Sequence, residues 1–313
     1  MILDIILLVV GFALLIKGAD IFVEGASKVA AKFHIPEIVI GLTIVAFGTS
    51  APEAAVSITS AFKGTAGIAV GNVIGSNICN VLLILGAAGA IAALKVKNNT
   101  LKIETPFTII VTVLLLLIGM MGNNVTFFDG IILWVFFLAF LAYLFWLSKN
   151  GEETGDDVIE LEEKDTLPKL VVMIVLGIAA IVFGSDLTVD SASNIATSFG
   201  VSDRIIGLTI VAIGTSLPEL VTSVNASLKG KTDIAIGNVI GSNIFNILFV
   251  LGTAALVSPI PIPFDVKFLT DFVVAIVALV LFFLFVDKKK MELRKSGAII
   301  MLICYIIYII SIL

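Results

Sequence analysis

Two glutamates, Glu53 and Glu219, each follow a serine by three residues and a proline by one, within segments otherwise apolar enough to cross a bilayer. The local sequences run Gly48-Thr49-Ser50-Ala51-Pro52-Glu53 and Gly214-Thr215-Ser216-Leu217-Pro218-Glu219. Proline lacks an N–H, so Pro52 deprives the carbonyl of Gly48 of its intrahelical partner and loosens that turn. In hydrocarbon an orphan carbonyl must be satisfied, and a bound cation can do it. An ionised carboxylate at the bilayer centre costs roughly 2.5 kcal/mol or more on insertion scales. Neither glutamate has a basic residue in its own segment, so each needs a cation or a proton to stay there.

The neighbouring residues extend this chemistry along two helices. Ala46, Thr49, Ser50, Glu53, Ser57 and Ser60 follow spacings of three and four, which places them on one helical face. Asn72, Ser76 and Asn80 recur every four residues on the next apolar segment, where Gly71 and Gly75 admit close backbone approach. All these donors are hard oxygens. They suit calcium, sodium or magnesium and disfavour zinc, copper or iron, which prefer His and Cys. For Ser57, Ser60, Asn72 and Asn238 the plainer reading is helix packing, because small and hydroxyl residues commonly serve that purpose in membranes. Asp20 and Glu24 with Lys17, and Asp186 with Asp190, are read as structural or interfacial.

The elements that carry these residues are duplicated. Residues 41–86 align with residues 207–252 without a gap, and 28 of the 46 aligned positions are identical. Ten apolar segments of about bilayer-spanning length fall at 2–29, 35–61, 67–93, 105–121, 127–147, 168–197, 202–227, 233–258, 268–286 and 296–312. The expected fold is therefore an all-α integral membrane protein with ten transmembrane helices in two five-helix repeats, 1–147 and 168–313. An acidic linker, 148–167, joins them; it lacks the Asp-x-Asp-x-Asp-Gly pattern of a calcium loop and reads as a solvated hinge.

Composition supports the class: 59% hydrophobic, 14% charged and mean hydropathy +1.17, against roughly half apolar and a quarter charged in soluble domains. The N-terminal segment lacks a basic n-region and a small-residue cleavage site, so it is expected to be a spanning helix. Cys79 and Cys304 lie in apolar segments and suggest no disulfide framework, and the lone His34 falls in a predicted loop. Without a His or Cys cluster an intramembrane enzyme is disfavoured. A channel would usually build its carboxylate ring from several subunits, whereas this chain supplies its own pair.

Basic residues set the orientation. With the N-terminus outside, fifteen lysines and arginines fall in cytoplasmic loops and only Lys63, Arg204 and Lys267 in outer ones. An odd number of spans per repeat then inverts one repeat relative to the other. Glu53 and Glu219 approach one midplane from opposite sides, an arrangement typical of secondary transporters. Both termini are expected outside a cell membrane.

The motifs GTSAPE and GTSLPE, each followed by GNVIGSNI, closely resemble the two α-repeats of the calcium:cation antiporter superfamily, in its sodium/calcium exchanger branch of prokaryotic and archaeal type. The resemblance covers essentially the whole chain and implies calcium/sodium antiport without a cofactor. It implies that Glu53 and Glu219 coordinate calcium with the backbone carbonyls of Thr49 and Thr215. Sodium sites would draw on Ala46, Ser50 and Ser242 on one side and on Ala212, Ser216 and Ser76 on the other, with Asn80 and Asn246 closing the middle. Several relatives, including potassium-dependent ones, carry Asp at the position of Asn246. With Asn in both copies the site holds about two negative charges, enough for one calcium or two sodium ions, and the case for potassium weakens. A proton could replace a metal at a desolvated glutamate, so calcium/proton exchange through the same pair is the alternative. No nucleic acid or obligate protein partner is expected.

Overall fold

Apolar runs of bilayer length fold as helices because hydrocarbon offers the backbone no other partner for its N–H and C=O groups. The computed structural model describes residues 2–62, 67–150, 165–200, 214, 216–266 and 268–312. Its helices are α1 Ile2–Phe33, α2 Glu37–Thr49, α3 Ala51–Phe62, α4 (67–91), α5 Thr100–Gly122, α6 Phe127–Asn150, α7 Leu167–Ser198, α8 Leu217–Leu228, α9 Thr232–Val257, α10 Phe268–Phe285 and α11 Lys295–Ile312. Among the described residues 8 helices are long and apolar enough to cross a membrane, and the bent pair α2–α3 makes a ninth. Most of the segment that would begin the remaining expected span, 201–213 with Thr215, lies outside the described residues.

The segment 35–61, expected as one span, is broken. Helices α2 and α3 meet at 51° around Ser50. Ser50 has φ −81° and ψ 9°, and Ser216, at the equivalent place before α8, has φ −92° and ψ 6°. Both lie in the sparsely populated bridge region, where helices turn rather than continue. The cause is the proline two residues later, which removes a hydrogen bond and crowds the preceding turn.

Two helices form the centre. The membrane-crossing windows of α4 and α9 are 72% and 94% buried within the protein, against 22–33% for the other six single-helix candidates. From Ile234 to Phe245 every residue of α9 is buried, the mark of a helix surrounded by protein on all sides. Its close neighbour is α2: a Cβ on Gly237 would stand 2.9 Å from the Gly41 Cα, so the two backbones touch where neither residue has a side chain.

Helices α1 and α7 pack antiparallel along their length through glycines. A Cβ on Gly11 would lie 3.0 Å from the Gly184 carbonyl, and one on Gly18 would lie 3.0 Å from the Gly177 carbonyl. Gly11 and Gly177, and Gly18 and Gly184, are each separated by the repeat offset of 166 residues, so each glycine meets the counterpart of its neighbour. Short strands tie the loops at the two ends of α5. There β1 Leu94–Lys95 and β4 Val286–Asp287 both pair antiparallel with β5 Glu292–Leu293, while β2 Asn124–Val125 pairs with β3 Ile262–Pro263. Each sheet joins loops that the distribution of basic residues assigns to one side of the membrane.

The acidic linker ends differently from the solvated hinge expected of it. Asp165 is 2% exposed, pairs with Lys28 at 3.2 Å and Lys169 at 2.8 Å, and its backbone carbonyl accepts a hydrogen bond from Lys32 at 3.0 Å. It thereby clasps the end of α1 to the start of α7. Residues 151–164 lie outside the described residues.

The Gly41–Gly237 contact yields a stability prediction. Gly237→Val should cost about 1–3 kcal/mol as an overpacked core site and lower the thermal unfolding midpoint in detergent. Gly75→Ala meets nothing within 4 Å and should leave the midpoint unchanged or raise it.

Candidate cation site

Glu53 and Glu219 occupy the third position of α3 and α8, in the first helical turn, where the helix dipole favours an anion. With Ser50 and Ser216 they have the Ser-x-x-Glu spacing of a capping box, in which serine and glutamate normally cap their own helix. The serines do something else here. Ser216 makes no capping hydrogen bond to its own helix. Instead Ser50 Oγ donates to Glu219 Oε1 at 2.7 Å, and Ser216 Oγ donates to Glu53 Oε1 at 3.4 Å. The serine immediately before each of these helices thus holds the carboxylate of the opposite repeat.

Both glutamates are 1% exposed, and in each the second oxygen, Oε2, is buried without a protein partner. Asn80 Oδ1, Asn246 Oδ1 and Ser242 Oγ are also buried and unpartnered. Buried acceptors are rarely left so, because each forfeits its hydration without replacement. Among the described residues no three His, Cys, Asp or Glu side chains form a metal-binding group, so the site combines two carboxylates with neutral oxygens.

The asparagines brace this arrangement. Asn72 Nδ2 donates to Ser57 Oγ at 2.9 Å and to the Glu53 carbonyl at 3.4 Å. Asn238 Nδ2 donates to Ser223 Oγ at 2.9 Å and to the Glu219 carbonyl at 3.4 Å. Asn238 Oδ1 accepts from Thr49 Oγ1 at 2.9 Å. These bonds lock α4 to α3, and α9 to both α8 and α2. Asn80 and Asn246 stand in π-helical turns, Cys79–Leu85 and Asn246–Leu251, a widened geometry frequent at functional sites.

The other expected residues are placed as follows. Ala46 is buried, and its Cβ would be 2.8 Å from a Cβ on Gly241, beside Ser242. Ser76 is buried on α4. Thr215 and Ala212 lie outside the described residues, and so does the side chain of Ser60. The carbonyl freed by Pro218, that of Gly214, accepts from Ser185 Oγ on α7 at 2.9 Å, so protein supplies a partner there. Away from the site, Asp20 pairs with Lys229 at 2.5 Å and Glu24 with Lys28 at 2.8 Å, while Asp186, Asp190 and His34 are exposed.

Four contributors were not expected: Asn77, Asn243, Ser223 and Ser185. Asn77 and Asn243 could have been found, since both repeats retain them within GSNI. Ser185 could not, because its counterpart at the repeat offset is Ala19.

Comparison with known proteins agrees with this geometry. The family described as "Sodium/calcium exchanger protein" matches residues 3–146 and 169–313. The chain is 41% identical over 310 residues to the putative antiporter CaxA of Alkalimonas amylolytica, covering 96% of each chain. It is 31% identical over 347 residues to the sodium/calcium exchanger MaX1 of Methanosarcina acetivorans, covering 98% of this chain and 97% of that one. Among solved structures, the sodium-calcium exchanger NCX_Mj superposes with a TM-score of 0.85 at 32% identity, covering 100% of this chain and 99% of the other. Two carboxylates crossed between the halves of a membrane-embedded helical fold, on a chain matched almost end to end, place this protein in the sodium/calcium exchanger family, a family of multi-pass membrane antiporters.

Proposed function

We propose that this chain exchanges calcium for sodium across the cell membrane by alternating access, with Glu53 and Glu219 holding the ion. The observation that carries the proposal is the pair of buried carboxylates, each bonded through one oxygen to the other repeat and each keeping its second oxygen free. Calcium takes six to eight oxygen ligands at flexible geometry, and the free oxygens of Glu53, Glu219, Asn80, Asn246 and Ser242 are of that kind. The carbonyls of Thr49 and Thr215 complete the calcium shell. Sodium is held by Ala46, Ser50 and Ser242 on one side and by Ala212, Ser216 and Ser76 on the other.

Ten helices in two inverted repeats, 1–147 and 168–313, supply the machinery. The antiparallel pairing of α1 with α7 through counterpart glycines supports that inversion, as does the crossing of the Ser–Glu bonds. The close glycine contact holds α1 and α7 together as a unit, and that unit slides past the remaining helices, exposing the site first on one side and then on the other. An empty site would leave two carboxylates facing each other without water, so the unloaded carrier crosses reluctantly and exchange prevails over leak. Sodium rather than proton coupling is favoured by the duplicated hydroxyls, which a proton-coupled carrier has no need of. With two negative charges, the exchange of one calcium for more than two sodium ions carries net charge. Both termini face outward and the 148–167 linker faces the cytoplasm.

Three experiments test these statements. Glu53→Gln and Glu219→Gln keep shape and remove charge, so each should lower calcium uptake into proteoliposomes roughly a hundredfold or more, about 3 kcal/mol. Near-normal uptake by either variant, correctly inserted, excludes the site. Calcium uptake should follow an imposed sodium gradient without potassium, and Ser50→Ala with Ser216→Ala should weaken the sodium dependence more than calcium binding. Uptake driven by a pH gradient and indifferent to sodium would instead establish calcium/proton exchange. Finally, single cysteines introduced at Asn124 and Gly155 should label from opposite sides of the membrane; labelling from one side refutes the topology.

A further inference from the structure

Four buried asparagines from the two repeats interlock beside the glutamates, and only two of them belong to the ion site described above. We propose that the other two, Asn77 and Asn243, are positioning residues that decide which end of Asn246 and Asn80 faces the transported cation. The proposal rests on the cation-site reading of Glu53 and Glu219.

An amide poses a problem that a carboxylate does not. Its two ends are similar in size, yet Oδ1 attracts a cation while Nδ2, a pure donor, repels it. Something must therefore hold each amide the right way round. Asn77 Nδ2 donates to the backbone carbonyl of Asn243 at 3.2 Å, and Asn243 Nδ2 donates to that of Asn77 at 3.4 Å. A backbone carbonyl only accepts, so it draws the NH2 end of each amide and leaves Oδ1 at the other end. Asn77 Oδ1 then accepts from Asn246 Nδ2 at 3.1 Å, and Asn243 Oδ1 accepts from Asn80 Nδ2 at 2.9 Å. With their NH2 ends so engaged, Asn246 and Asn80 turn Oδ1 the opposite way, and both of those oxygens are buried without a protein partner.

Orientation thus passes from an unambiguous backbone carbonyl, through Asn77 and Asn243, to the amides that meet the ion. Water cannot compete for these bonds, since Asn77, Asn243, Asn80 and Asn246 are 3%, 1%, 1% and 0% exposed. The relay crosses between repeats each time: Asn77 of the first orients Asn246 of the second, and Asn243 orients Asn80. A carboxylate at the position of Asn246 would present oxygen whichever way it turned. The relay is the requirement that comes with having asparagine there.

That difference supplies the test. Apparent calcium affinity is measured by radiolabelled calcium uptake into proteoliposomes for the full-length protein, Asn77→Leu, Asn246→Asp and the double variant. Leucine is close to asparagine in size but accepts no hydrogen bond, so Asn77→Leu frees the amide of Asn246 and should weaken calcium about tenfold or more. In the Asn246→Asp background the same substitution should cost less than about twofold, because no amide remains to be oriented. Added charge alone would strengthen binding in both backgrounds and leave the Asn77→Leu factor unchanged. Equal factors, or an unchanged affinity in Asn77→Leu, overturn the relay. Asn243→Leu with Asn80→Asp is the mirror cycle and carries the test if Asn77→Leu fails to insert. Glu53→Gln in the same series separates the two levels. Calcium uptake that survives it sinks the cation site itself, whereas uptake lost with it alongside equal leucine factors sinks the relay alone.

Discussion

Two carboxylates kept out of water within a membrane are the constraint around which this protein is organised. An isolated buried charge is costly, and two of like sign are costlier still unless hydrogen bonds and a cation offset them. Much of the surrounding architecture answers that demand. Pro52 stands just after the bend between α2 and α3, and Pro218 is the second residue of α8, so that each glutamate falls in a first turn, at the positive end of a helix dipole. Ser50, at the α2–α3 bend, and Ser216, just before α8, reach across with their hydroxyls to the opposite glutamate. One oxygen of each carboxylate is thereby pinned by protein and the other is buried without a protein partner.

Close packing is the second requirement, because a site of fixed oxygens needs walls that do not yield. Helix α9 is buried along almost its whole length, and its contact with α2 at Gly41 and Gly237 is backbone to backbone. Asn72 and Asn238 fasten the helices that bear the glutamates to the two central ones. The α1–α7 pair is built differently. Its seam runs through glycines, its outer faces are apolar, and one end is tied by polar contacts where Asp165 gathers Lys28, Lys32 and Lys169. A rigid core beside a smooth antiparallel pair is the division of labour that a carrier needs.

The asparagines show how a neutral side chain can still be directional. Carboxylates impose polarity by charge, and amides only by orientation, which has to be inherited from some group that cannot turn. Here the source is the helix backbone at Asn77 and Asn243, just ahead of the π turns, and two hydrogen bonds on each side link it to the amides of Asn246 and Asn80.

Much of this was legible in the sequence, since helix length, burial at membrane depth and the 166-residue repeat are properties of residue type and order. Glu53, Glu219, Ser50, Ser216 and Asn80 drew attention because polar residues in hydrocarbon have to be compensated, whatever the fold, and Asn246 was named through the family resemblance. Pro52 pointed to a loosened turn in the second span, and the structure makes of it a 51° bend. What sequence could not supply was which side chain reaches which. The Ser-x-x-Glu spacing reads locally as a capping box, yet the serine bonds cross between halves more than 160 residues apart. Asn77 and Asn243 were assigned no role from sequence, and their carbonyls and amides interlock only across the two repeats. Asp165 passed for solvated linker because Lys28 and Lys32, which bury it, lie on α1 more than 130 residues away, and Ser185 left no trace because its counterpart is alanine. Local rules govern what each segment must do with its own backbone and charge. Partners brought together from distant parts of the chain are chosen only when the helices pack.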